Sequence, residues 1–372
     1  MKFSDVIGQK EVKAQLMHAM QEGRISHAQL FLGADGTGAL PMALAYAQYL
    51  VCENKGETDS CGKCPACLKS GKMVHPDITF TFPIAPSAKK KICLDFIAEF
   101  RESVLANPYL SFNEWVTAMD AENKQGSIIT EEAGDIVRRL GFKSAEGGYK
   151  ICMIWFPETL NASAANKLLK IIEEPPDQTV FLLVAENHEH ILPTISSRTQ
   201  LVKIYSITDE ELTNALVKRR GIGLEDARRL AHRADGNYSA ALQMLAEEGG
   251  EDYNAEFLEW MRNCVRLKIP AVSKFAEEMA SRSREQQKIF LQHVLHIARE
   301  CLLINYGDST MVRFAPAELE AFRKFAPFVN RNNADFFVEE INKAHYHLER
   351  NANAKILFTD LSFSMSRILQ VK

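Results

Sequence analysis

The sequence predicts an α/β protein: a parallel sheet core through about residue 204, three short helices over 205–250, and an all-helical remainder. Three observations carry this. Short, wholly apolar runs alternate with amphipathic helical patterns in the first half, as buried parallel strands and their crossovers do. A glycine loop, Gly33-Ala34-Asp35-Gly36-Thr37-Gly38, joins the first apolar run to the first apolar helix. Beyond Gly249-Gly250, a boundary signal, the periodicity is helical only.

The first strand is Ala28-Gln29-Leu30-Phe31-Leu32, and Met42 to Val51 reads as the following helix. The loop between them has the glycine frame of the phosphate-binding pattern G-x-x-x-x-G-K-[ST], with Gly33, Gly36 and Gly38 as candidate phosphate-cradling positions. The two positions that do the chemistry read Ala39 and Leu40. A lysine there would meet the β- and γ-phosphates, and a hydroxyl would hold Mg²⁺. Pro41 also lacks a backbone N–H. Losing one such charge-assisted hydrogen bond costs roughly 1.5–3 kcal/mol, or about one to two decades of affinity. The plainer reading is a glycine turn between a strand and a helix.

Eight cysteines fall into two sets. Cys52, Cys61, Cys64 and Cys67, spaced C-x8-C-x2-C-x2-C, can close a tetrahedron around Zn²⁺, with Gly62 and Pro65 supplying the tight turns. Four sulfur ligands leave no open position, so the expected role is structural. His75, in His75-Pro76-Asp77, reads as a polar loop residue and only weakly as a further ligand. Cys93, Cys152, Cys264 and Cys301 lie in apolar surroundings and read as core thiols.

Ile151-Cys152-Met153-Ile154 is the next buried strand. Trp155, Phe156 and Pro157 follow it where a Mg²⁺-binding aspartate would end it, and the first acid is Glu158. Both halves of a Mg²⁺ site are therefore missing together. Asn161 or Ser163 can cap a helix that Pro175-Pro176 stops, with Leu168, Leu169 and Ile172 on its apolar face. Val180 to Ala185 is a further strand, and Gln200 to Ile204 follows Ser197-Arg198-Thr199. Thr208-Asp209-Glu210-Glu211 is a capping box opening the first of three helices, before Leu224–Ala234 and Tyr238–Ala246. Phe290, Val294, Ile297, Cys301 and Ile304 make one helical stripe. The stretch 84–127 is long for a connection; Phe112 and Trp115 suggest that part of it folds back, and Lys89-Lys90-Lys91 reads as a solvated run or a DNA-backbone contact.

Hydrophobic content of 46%, charged content of 25% and a net charge of −4 are ordinary globular values and argue against broad nucleic-acid steering. No apolar run reaches membrane-span length and no signal-peptide pattern opens the chain, so a cytoplasmic protein with no membrane association is expected.

The stretches His27-Ala28…Phe31-Leu32-Gly33, the cysteine module, His75-Pro76-Asp77, Ala164-Ala165-Asn166-Lys167-Leu168-Leu169-Lys170…Glu173-Glu174-Pro175-Pro176 and Ser197-Arg198-Thr199 together resemble the AAA+ subunits of the bacterial DNA polymerase III clamp loader. The likeness is nearest to the non-hydrolysing delta prime type, and covers residues 1–250 more strongly than the rest. It implies an AAA+ core over 1–204, a helical lid over 205–250 and an oligomerisation collar over 251–372. It further implies gamma/tau motor and delta subunits as partners, acting on the sliding clamp at primed DNA. Arg198 matches the arginine that such subunits extend to a neighbour's ATP, with Thr199 in place of the family's cysteine. Ser239, in Gly236-Asn237-Tyr238-Ser239, stands where motor subunits carry arginine. Two other readings remain: an ATPase using Asp35 or Glu158 for metal, and a zinc-ribbon nucleic-acid-binding protein acting alone.

Overall fold

A computed structural model describes residues 1–86, 91–119, 126–246, 253–307, 312–314, 316–350 and 352–371. Lys89, Lys90 and the Gly249-Gly250 pair lie outside the described residues. The chain divides into two compact units, Met1–Leu245 and Ala246–Lys372.

The first unit is built on a five-stranded, wholly parallel sheet: β1 (Ala28–Leu32), β2 (Ile78–Thr81), β3 (Lys150–Trp155), β4 (Thr179–Ala185) and β5 (Gln200–Lys203), in the order β2-β3-β4-β1-β5. Successive side chains leave opposite faces of a strand, and in β1, β3 and β4 both faces are covered, so these three read as largely apolar runs. Phe31, Ile151, Met153, Leu182 and Val184 pack on one side with the helix Ala39–Val51. Leu30, Cys152, Ile154, Phe181 and Leu183 pack on the other, among residues of the helices Thr130–Leu140 and Ala162–Glu173. This is the expected parallel α/β core. β2 was not foreseen; its Ile-Thr-Phe-Thr run has the β-branched and aromatic content of a strand.

Local chemistry sets the ends of the helices. Asn161, not Ser163, caps the helix Ala162–Glu173, its Oδ1 accepting from Ala164 N at 2.7 Å. The helix stops before the diproline, which disfavours helical backbone in the preceding residue. Thr208 and Glu211 form the expected capping box, and Gly221, at φ 69°, closes that helix (Asp209–Arg220).

Within 84–127, Ile84 and Ser127 bridge as antiparallel partners, closing the excursion at its base. The helices Ile97–Ala106 and Phe112–Ala118 lie between them. Trp115 is fully buried, edge-on to Phe82 and Phe100 at 5.1 and 5.2 Å, and its indole N–H donates to Pro83 O at 2.7 Å. The excursion does fold back.

The second unit consists of helices packed around Trp260, Phe290 and Phe358. Phe290, Val294, Ile297 and Cys301 lie along the helix Arg284–Tyr306 and are all fully buried; Ile304 packs at the margin. Trp260 Nε1 donates to Ser362 Oγ at 2.8 Å, so the one polar atom of that ring is satisfied inside the core. Among the described residues no helix is long and apolar enough to cross a membrane.

Candidate functional site

In open parallel sheets, ligands bind beyond the carboxyl ends of the strands, where the strand order reverses. The glycine loop sits there, after β1 and between β4 and β5 in the sheet. Gly36 and Gly38 have φ of 67° and 104°, a conformation that side chains rarely adopt. Both glycines are also pressed by neighbours. A Cβ on Gly36 would fall 1.7 Å from Asn237 Oδ1, and one on Gly38 would fall 3.1 Å from the Tyr109 ring. Gly33 is confined by Thr37 Oγ1 at 2.7 Å and by Ile204.

Several elements meet at the loop. Tyr109, from the 84–127 stretch, is 3% exposed, and its Oη accepts from Ile7 N at 2.8 Å. Its carbonyl accepts from Ser239 Oγ at 2.6 Å, and its ring meets that of Tyr238 edge-on at 4.9 Å. Tyr238 N donates to Gly36 O at 3.0 Å, and Asn237 Nδ2 to Asp35 Oδ2 at 3.3 Å. Thr37 turns its hydroxyl onto Ala34 O at 2.6 Å. Trp155 and Phe156 form the opposite wall. The cavity left is about 30 Å³, room for one or two waters.

Asp35 and Glu186 line the cavity, and burial raises the pKa of both. Glu186 is pushed up to about 8, with the charges of Asp35 and Glu158 contributing after burial. Glu158 accepts from the backbone N–H groups of Glu186 and Asn187 at 2.6 and 3.0 Å, and so caps the end of β4. Both bonds go to Oε1, and Oε2 is buried without a hydrogen-bond partner. Sequence reasoning missed Tyr109 and Glu186, because nothing local marks either residue; both act through tertiary packing.

The four cysteines meet at a second place. Cys52 follows the helix Ala39–Val51, and Cys64 caps the short helix Pro65–Gly71. All four sulfurs lie within 4.8 Å of one another, none is in a disulfide, and Cys61 and Cys67 are 3.9 Å apart. Four sulfurs at roughly 2.3 Å from a tetrahedral Zn²⁺ would lie roughly 3.8 Å apart, so the donor set fits such an ion. Backbone N–H groups are aimed at the sulfurs: Cys61 N at Cys52 Sγ (3.3 Å), Cys64 N at Cys61 Sγ (3.3 Å) and Cys67 N at Cys64 Sγ (3.4 Å). Such donors stabilise thiolate charge. The group could hold a metal ion.

His75 stands outside that group and is not a solvated loop residue. It is 4% exposed, and its Nδ1 accepts from Asp77 N at 3.2 Å while Nε2 lies 3.1 Å from Glu146. Asp77 accepts from Ser144 Oγ, Ala145 N and Glu146 N at 2.7 to 3.0 Å. The His-Pro-Asp run thus anchors the 144–146 segment. Cys93, Cys152, Cys264 and Cys301 are buried, as expected, and burial raises all four thiols.

Arg198 is not among the residues lining the loop cavity. It follows the single turn Pro193–Ser196, donates through Nε to Glu173 at 3.0 Å and through a terminal nitrogen to Thr194 O at 3.0 Å, and is partly exposed.

Curated relatives match along much of the chain. The delta prime subunit of DNA polymerase III from Bacillus subtilis is 24% identical over 302 residues, 81% of this chain and 79% of that protein. The delta prime subunit from Pseudomonas aeruginosa is 27% identical over 273 residues, 72% of this chain and 70% of its own length. The gamma/tau subunit of Mycobacterium tuberculosis is 27% identical over 228 residues, and the match spans only 33% of that longer protein. A family model described as DNA polymerase III, delta subunit, matches residues 8–208, more than half of the 372. The chain belongs to that family of clamp-loader subunits.

Proposed function

We propose that this chain is a non-hydrolysing stator of the delta prime type in a DNA polymerase III clamp loader, helping to load the sliding clamp onto primed DNA. The observation that carries the reading is the filled phosphate loop: a cavity of about 30 Å³ under Tyr109, with carboxylates at its wall and Ala39 and Leu40 at the chemical positions. A motor subunit of the gamma/tau type needs that space for ATP. The partners would be gamma/tau motor subunits and a delta subunit, with the clamp and DNA reached through the complex. The three-part division follows the family: core 1–204, lid 205–250 and collar 251–372.

In this reading Arg198 acts in trans. A guanidinium carried to a neighbour's ATP stabilises charge developing on the γ-phosphate. Glu173 and Thr194 O supply the acceptors that orient it in the free chain. Their hold is weak, since both side chains of the ion pair are substantially exposed, and reorientation onto a phosphate costs little. Cys52, Cys61, Cys64 and Cys67 would bind one structural Zn²⁺, which joins the end of the helix Ala39–Val51 to the Pro65–Gly71 turn. The net charge of −4 disfavours a stand-alone nucleic-acid-binding protein.

The test is reconstitution with motor and delta subunits and substitution of Arg198→Ala. Unchanged assembly with ATPase lowered at least tenfold is expected from the size of such arginine effects. Undiminished turnover would remove Arg198 from the site.

A further inference from the structure

An apolar groove opens on the second unit, between the helix Tyr253–Val265 and the segment Pro316–Phe328. Its volume is about 480 Å³, within the range of sites that bury a ligand's side chains. Leu258, Met261 and Val265 form one wall at spacings of three and four, so a single helix face lines it over about two turns, roughly 10 Å. Phe325 and Phe328 form the other wall, with ring centroids 5.9 Å apart and planes 22° from parallel. Phe325 is also held edge-on by the fully buried Phe257 at 5.1 Å, so that wall is fixed to the core. Phe328 is 40% exposed, an aromatic face left to water at the mouth.

The rim is basic. Arg262 and Arg266, one helical turn apart, line the groove and are exposed. Among the described residues neither has an acidic partner. Lys324, on the opposite side, pairs with Glu320 at 3.2 Å, but both side chains are more than three-quarters exposed and the pair is easily exchanged. This cationic rim is local, because the chain as a whole carries −4. Two forked guanidinium groups at a four-residue spacing match carboxylates presented one turn apart on a facing helix.

We infer that this groove is a docking site for a short acidic, amphipathic segment of another protein, two to three helical turns long, with large apolar side chains in the groove and aspartates or glutamates against Arg262, Arg266 and Lys324. Both halves of the chemistry are needed. A phosphate backbone would use the rim alone and leave the apolar floor wet; an uncharged apolar helix would leave the guanidinium groups unmatched. The inference goes beyond the clamp-loader reading and stands or falls separately from it.

Selection of random 16-residue displayed peptides on the full chain, followed by fluorescence anisotropy of synthetic winners, tests it. Winners should carry acidic residues flanking Leu, Ile, Phe or Trp at helical spacing. Their Kd should rise at least tenfold with the double substitution Arg262→Glu and Arg266→Glu, which alters only exposed side chains. Hydrogen exchange should slow over 258–266 and 321–328. Winners without acidic bias, unchanged affinity in the double variant, or protection elsewhere would overturn it. So would displacement of the peptide by a single-stranded oligonucleotide with the same sensitivity to the variant. Concentration-dependent dimerisation that the variant abolishes would make the occupant a second copy of this chain, and would equally overturn the proposal.

Discussion

Glu186, half-buried at the wall of the loop cavity, shows how a single group can report on the site. Its folded pKa of about 8 lies above the ordinary value of 4.5, because burial and the charges of Asp35 and Glu158 favour the proton. The folded chain therefore binds more protons than the unfolded chain between those two values. Stability from this group is complete below about pH 4.5 and is lost as pH rises toward 8. Glu186→Gln should flatten that slope, raising stability by about 1–3 kcal/mol at pH 8.5 and changing little at pH 5. Urea titrations of both proteins at the two pH values check this. Tyr109 is the other residue to probe. Truncation to alanine removes a buried ring and the acceptor for Ile7 N, and should cost about 3–4 kcal/mol of unfolding free energy in the same titrations.

At the scale of elements, the cysteine module is the part whose chemistry was most openly written. Four cysteines at close spacing define both a ligand set and a loop, and their sulfurs meet as that spacing requires. Metal analysis of the purified chain should find one Zn²⁺ per chain. Cys64→Ser, which removes both a ligand and the cap of Pro65–Gly71, should abolish it and lower Tm by roughly 5–10 °C. Full metal content in that variant would count against a four-cysteine site. Strands β1, β3 and β4 were legible because burial on both faces writes them as unbroken apolar runs. The helices after Asn161 and Thr208 were legible from their caps. β2 was passed over because only four residues carry it, behind the His-Pro-Asp turn. The burial of His75 was hidden for another reason: its partner Glu146 lies some seventy positions away, and no local pattern announces such a pairing.

For the whole molecule, the sequence exposed what the site lacks, and the fold accounts for what took its place. Ala39, Leu40 and the missing acid after β3 were readable as losses. Tyr109, from the 84–127 stretch, lines the loop cavity and is held there by Ile7 N and Ser239 Oγ, while Asn237 bonds Asp35; only the folded chain brings these together. If the stator reading holds, weak nucleotide binding would be a property of the packed structure and not of one substitution. The most direct measurement is equilibrium binding of a fluorescent ATP analogue, with Mg²⁺, to the purified chain. The filled loop predicts no saturable binding up to about 0.5 mM, an affinity weaker than about −4.5 kcal/mol. Specific binding at low micromolar concentration would mean that Tyr109 yields and the backbone of the loop still grips phosphate, and the stator reading would be wrong.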